Sequence, residues 1–182
     1  MKKTVWTFGL ISGAILSAMM LLTMPFMHEI GYDRGMIVGY TTMVLAFLLV
    51  FFGVRSYRDN VAGGRVGFGR AFVVGALIAL VASACYVATW EVIYFKLNPE
   101  YAASIQEAMI ERARTSGESP AVIEQKVAEA ERFMEMYRNP AVNIAFTFLE
   151  PLPVGLVFAL VSAGILSRAR RSEEPELETA LA

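Results

Sequence analysis

Residues 4–27 and 36–54 contain no charged side chain, and residues 71–95 and 140–167 contain one each, Glu91 and Glu150. A bilayer hydrocarbon core of about 30 Å is crossed by roughly 20 apolar residues in a helix. Each of the four stretches is near or above that length. In lipid only helices and closed barrels satisfy their own backbone polar groups, and runs this long and continuous are helical. The expected fold is therefore an all-α membrane protein with four transmembrane helices. The composition agrees, because 56 % hydrophobic and 18 % charged residues leave too little polar surface for an ordinary soluble domain.

The same figures exclude some functions. A formal net charge of −1 gives no basic footprint for nucleic acid. The single Cys85 lies within the third stretch, so neither a disulfide framework nor a cysteine metal pair is expected, and its natural role is that of a small apolar filler. Lys2 and Lys3 before the first stretch resemble the start of a signal peptide. The uncharged run that follows is longer than an h-region of about 7–15 residues, however, and it ends in Met24-Pro25-Phe26-Met27 without a small-residue cleavage site. It is expected to be a retained transmembrane helix.

Basic residues give the expected orientation. Lys2, Lys3, Arg55, Arg58, Arg65, Arg70, Arg168, Arg170 and Arg171 fall on one side if the chain crosses four times. Arg34 and six bases between residues 96 and 139 fall on the other. The first group hugs the helix ends, where the positive-inside effect acts, whereas Arg112, Arg114, Lys126 and Arg132 lie far from them. Both termini are expected in the cytoplasm and residues 98–139 outside.

That outer segment has helical patterning. Asn98-Pro99-Glu100, Ser119-Pro120 and Asn139-Pro140 each combine a cap residue with a proline suited to a first turn. They bound two helices, about 99–114 and 120–138, broken at Thr115-Ser116-Gly117. Ile123, Val127, Ala130, Met134 and Tyr137 form one apolar stripe, and Tyr101, Ile105 and Ala108, with Met109 beside them, form a shorter one. An antiparallel helical hairpin is expected, inserted in a single domain spanning residues 1–182. The tail, residues 172–182, holds four glutamates and is expected to be disordered.

The inner link, residues 55–70, is rich in glycine and arginine but lacks the Gly-Lys-Ser/Thr ending of a nucleotide-binding loop. Arg55, Arg58, Arg65 and Arg70 suit contacts to anionic lipid head groups, or serve as topogenic charges in a tight turn. Gly53, Arg55, Tyr57, Arg58 and Asp59, then Gly63-Gly64 and Phe68, with Trp90 and Tyr94 further on, resemble a bacterial membrane family catalogued as domain of unknown function 4199. The resemblance extends from about residue 3 to 171. It implies a small four-helix bacterial inner-membrane protein, and it implies no activity or ligand.

Two intramembrane acids are the candidate functional residues. Glu91 lies about four residues from the outer end of its helix. Glu150 lies about ten residues into the last helix, roughly 15 Å at ~1.5 Å per residue, and an acid there tends to face protein or water. Pro151 and Pro153 follow it, each removing an amide donor and freeing a carbonyl in the preceding turn. A carboxylate beside such a break suits a cation or proton site. It equally suits a hydrogen bond to Ser, Thr or Tyr of a neighbouring helix.

His28, beside Glu29 and near Met24 and Met27, is expected to be an interfacial residue, the soft-metal alternative having no further ligand cluster behind it. No cofactor, metal site or catalytic constellation is expected. Small-residue faces at Gly9/Gly13/Ser17, Gly75/Ala79/Ser83 and Gly155/Ala159/Ala163 suit internal packing or a homodimer. The expected function is a non-enzymatic envelope scaffold contacting a protein partner through the outer hairpin. The alternative is a small proton- or cation-coupled transporter or channel centred on Glu150.

Overall fold

The computed structural model describes residues 1–26, 32–98 and 100–168. Its helices are α1 (Lys2–Thr23), α2 (Tyr32–Asn60), α3 (Phe68–Val92), α4 (Tyr101–Arg114), α5 (Pro120–Tyr137), α6 (Pro140–Phe148) and α7 (Pro151–Arg168). A 3₁₀ turn, Met24–Phe26, follows α1, and a π turn, Ile93–Leu97, follows α3. No strand occurs among the described residues. Four helical spans, Lys2–Phe26, Arg34–Asn60, Phe68–Leu97 and Pro140–Ser167, are long and apolar enough to cross a membrane. His28 and the acidic tail lie outside the described residues.

The chain divides into two compact units: Met1–Tyr86 with Leu149–Ala182, and Val87–Phe148. In the first unit α1 packs on α2, and α2 on α7. Glycines set the other contacts. A Cβ built on Gly9 would lie 2.7 Å from Val81 Cβ, and one on Gly13 would lie 2.6 Å from Cys85 Cβ. Residue numbers rise together in these pairs, so α1 and α3 run parallel. A Cβ on Gly75 would meet Ala159 Cβ at 2.9 Å, and one on Gly155 would meet Ala79 Cβ at 2.6 Å. Here the numbers run in opposite directions, so α3 and α7 are antiparallel.

The small-residue faces are thus used for close packing within this unit, where no hydrophobic force distinguishes helix from lipid and van der Waals contact must hold the helices. Phe47, Val50, Val54, Val74 and Ile78 fill the interior and are wholly buried. The Ser12 hydroxyl donates to the Ala46 carbonyl at 3.2 Å, and the Ser17 hydroxyl donates to the Cys85 carbonyl at 3.4 Å.

In the second unit α4 packs against α5. Ala130 and Met134 are buried and Ile123, Val127 and Tyr137 half-buried, which is the stripe expected for α5. In α4, by contrast, Ala108 and Met109 are exposed, and the covered face runs through Ile105, Ile110 and Ala113. A few alanines and single aliphatics leave the orientation of such a helix open until its partner is placed. Capping also differs from expectation. Asn139 accepts a hydrogen bond from the Ala141 amide at 3.0 Å through Oδ1, a true side-chain cap. Ser119 stands at the N-cap of α5 without such a bond, and the residue at the α4 N-cap is Glu100.

Candidate functional site

The last membrane span is interrupted where the two prolines predict. α6 ends at Phe148, Leu149 and Glu150 form a turn, and α7 begins at Pro151. Pro151 is fully buried, whereas Pro153 and Glu150 are exposed. The Tyr86 hydroxyl donates to Oε2 of Glu150 at 2.8 Å.

The register explains the meeting. α3 and α7 are antiparallel, with Gly75 beside Ala159 and Ala79 beside Gly155, and continuing that progression brings Glu150 to the level of residues 84–86. The half-buried Tyr86 holds one oxygen of the carboxylate, while Glu150 itself is exposed among the described residues. An acid well inside a membrane span is costly unless protein or water meets it. The arrangement can hold a proton or a small cation, with the phenol orienting the carboxylate.

Glu91 belongs to the second unit, beside a polar and aromatic cluster. The Trp90 indole N–H donates to the Tyr137 hydroxyl at 3.1 Å. That hydroxyl lies 3.2 Å from the Thr147 hydroxyl, which in turn donates to Oδ1 of Asn143 at 3.2 Å. Asn143, wholly buried, closes the network by donating to the Tyr137 carbonyl at 3.3 Å, at the last turn of α5. Around it Tyr94 and Tyr137 meet edge to face at 5.5 Å, and Trp90 lies 5.9 Å from Tyr94.

Two atoms stand outside the network. Oε1 of Glu91 and the hydroxyl of Tyr94 are buried and have no hydrogen-bond partner among the described residues, as is also true of Ser83 Oγ in the first unit. Each such group costs about 1–3 kcal/mol unless something meets it. Sequence reading singled out Glu91 but not Tyr86, Asn143 or Thr147. Asn143 was the available signal, since an amide in an apolar run must find partners.

The arginines of the inner link are exposed except Arg58, which is half-buried. Arg58 Nε lies 2.7 Å from Oδ1 of Asp59, and Arg55 Nε lies 3.7 Å from its Oδ2. Gly63 and Gly64 take φ of +69° and +84°, and the Gly64 amide donates to the Arg58 carbonyl at 2.9 Å, closing the chain off the end of α2. Arg65 and Arg70 make no ion pair among the described residues.

A helical fold with four spans and polar groups set within them defines a small polytopic membrane protein. The chain belongs to the family described as "Protein of unknown function (DUF4199)", whose family model matches residues 7–168. No curated protein and no solved structure matches it.

Proposed function

We infer that this is a non-enzymatic protein of the bacterial inner membrane, with both termini in the cytoplasm, whose α4–α5 segment contacts another envelope component. One observation carries the reading. On otherwise charged helices, Met109, Val122 and Met136 are 37, 38 and 53 % exposed. A protein partner that covered these side chains would remove their apolar surface from water. The concentration of arginines at one set of helix ends supports the orientation. Photo-crosslinking groups at Val122 and Met136 in intact cells test the contact: a discrete heterologous product at both positions, lost on changing the intervening Val127 and Met134 to Asp, is expected. Absence of any product would remove this reading.

A second reading is favoured by the Tyr86–Glu150 pair. A carboxylate oriented by a phenol in a broken span supports proton or cation movement, for which a dimer would supply the missing wall. Proteoliposome flux that Glu150→Gln abolishes, in protein that remains folded, would select this reading over the first.

A further inference from the structure

The hydroxyls of the first unit differ in how they are met. Thr23 and Thr42 return theirs to the carbonyl four residues back, at 2.8 and 2.9 Å. Ser12 and Ser17 reach carbonyls of neighbouring helices. Ser83 does neither: it is wholly buried, and its Oγ has no hydrogen-bond partner among the described residues. A helical serine has the carbonyl four residues back within reach. A hydroxyl turned away from it inside the bundle points to a ligand.

The position of Ser83 shows which groups it joins. Gly75 lies beside Ala159 and Ala79 beside Gly155. One turn further along each helix, the same antiparallel register sets Ser83 opposite Pro151, which is also wholly buried. Three residues on, on the same face of α3, Tyr86 donates to Oε2 of Glu150 at 2.8 Å. Leu149 and Glu150 form the turn at this point, and Pro153 has no amide to offer the Leu149 carbonyl. A serine hydroxyl, a phenol, a carboxylate and a main-chain carbonyl thus lie at the break, all within one compact unit.

The chemistry of these groups selects the ligand. All four present oxygen lone pairs to a hard cation, and transporters hold sodium ions or protons on such interrupted helices. A proton on Glu150 would leave the serine unmet. One carboxylate balances one positive charge, whereas calcium takes about 6–8 oxygen ligands. Among the described residues no three His, Cys, Asp or Glu side chains gather for a transition metal. The close approach of α3 to α7, where a Cβ on Gly155 would come within 2.6 Å of Ala79 Cβ, favours a small ion over a large one. Glu150 is exposed and Ser83 is not, so an ion entering at the carboxylate ends against the serine.

We propose that Glu150, Tyr86 and Ser83, with the Leu149 carbonyl, form a sodium-binding site at the break between α6 and α7. The proposal rests on the second reading above only in taking Glu150 as the charged group of an ion site, and it names the ion.

The test uses the full chain in phosphatidylcholine nanodiscs and sodium itself, with ionic strength held constant by choline chloride. Radioactive sodium should bind saturably, and the unfolding temperature should rise over the same sodium range, as with any ligand of the folded state. Potassium should compete several-fold more weakly. Glu150→Gln should weaken sodium binding about tenfold or more, as loss of a charged partner does, and Ser83→Ala should weaken it several-fold. Ser83→Ala also separates a ligand from a merely structural serine. Removal of an unmet hydroxyl stabilises the sodium-free protein in either case, but only loss of a ligand raises the sodium concentration at half-saturation.

Absence of saturable sodium binding overturns the proposal and leaves water on Ser83. So does parent-like sodium affinity in folded Ser83→Ala or folded Glu150→Gln protein. Should Glu150→Gln unfold, Ser83→Ala decides. Flux is read separately from binding. Glu150-dependent proton flux without sodium binding keeps the second reading and overturns the sodium site. Sodium binding without flux supports the site and removes ion movement as its purpose.

Discussion

Tyr86 and Glu150, 64 positions apart in the chain, are joined by a 2.8 Å hydrogen bond at the break between α6 and α7. The phenol is the donor and the carboxylate the acceptor, so the two residues are not interchangeable in what their loss does. Tyr86→Phe removes the donor and leaves a carboxylate unmet inside a membrane span. Glu150→Gln retains an oxygen that accepts from the same phenol. In detergent unfolding, Tyr86→Phe should be more destabilising than Glu150→Gln, and a double-mutant cycle of Tyr86→Phe with Glu150→Ala, which removes the acceptor, should show a coupling of about 0.6–1.7 kcal/mol, the range for hydrogen bonds between membrane helices. Strict additivity would show that the bond contributes nothing.

Close backbone approach predicts a sharp division among the glycines. A Cβ at Gly13 or Gly155 would come within 2.6 Å of Cys85 Cβ or Ala79 Cβ, whereas one at Gly164 meets nothing within 4 Å. Gly155→Val and Gly13→Val should lower stability by about 1–3 kcal/mol or more through overpacking. Gly164→Ala, in the interior of α7, should raise it by roughly 0.5–1 kcal/mol. Thermal unfolding in detergent measures all three, and equal tolerance at Gly155 and Gly164 would contradict the packing of α3 on α7.

Asn143 is the keystone of the polar network in the second unit. Asn143→Leu keeps the branched shape of the side chain but removes the donor to the Tyr137 carbonyl and the acceptor for Thr147. A loss of about 1–3 kcal/mol is expected. Hydrogen exchange should show it as lost protection at the end of α5 and in α6, with α1 and α2 unaffected.

The link between α4 and α5 should respond to acid. The Lys126 ammonium, 2.6 Å from Oε2 of Glu118, holds that carboxyl below its ordinary value of 4.5. A depressed carboxylate contributes stability that is present above the unfolded value and lost as pH falls through the folded one. Local protection around Ser116 and Glu118 should therefore decline as pH drops below 4.5. Both side chains lie at the surface, so the effect should be small and should fade in high salt. Lys126→Ala should abolish the pH response; persistence of the response in that variant would assign it to another group.

Much of the architecture was legible because hydrophobicity is a local and additive property of the chain. The four spans follow from long apolar runs with at most one charge each, and the break before Pro151 follows from two missing amide donors. The α5 stripe follows from five apolar positions at helical spacing, long enough to have one solution. The α4 stripe was read through Ala108 and Met109, both exposed, because so few large apolar residues leave several faces nearly equal.

Partners were not legible in the same way. That Tyr86 reaches Glu150 depends on the antiparallel register of α3 against α7, which the contacts at Gly75 and Gly155 set to within a fraction of a turn. That Asn143 and Tyr137 find each other while the Tyr94 hydroxyl and Oε1 of Glu91 find no hydrogen-bond partner among the described residues likewise depends on the path from α5 into α6. The sequence by itself determined that the chain is helical, apolar enough to cross a membrane four times, and interrupted at Glu150. Tertiary structure decided which polar groups within those helices are satisfied and which are left open, because a hydrogen bond is made or lost over about an ångström, a distance set by packing between residues far apart in the chain.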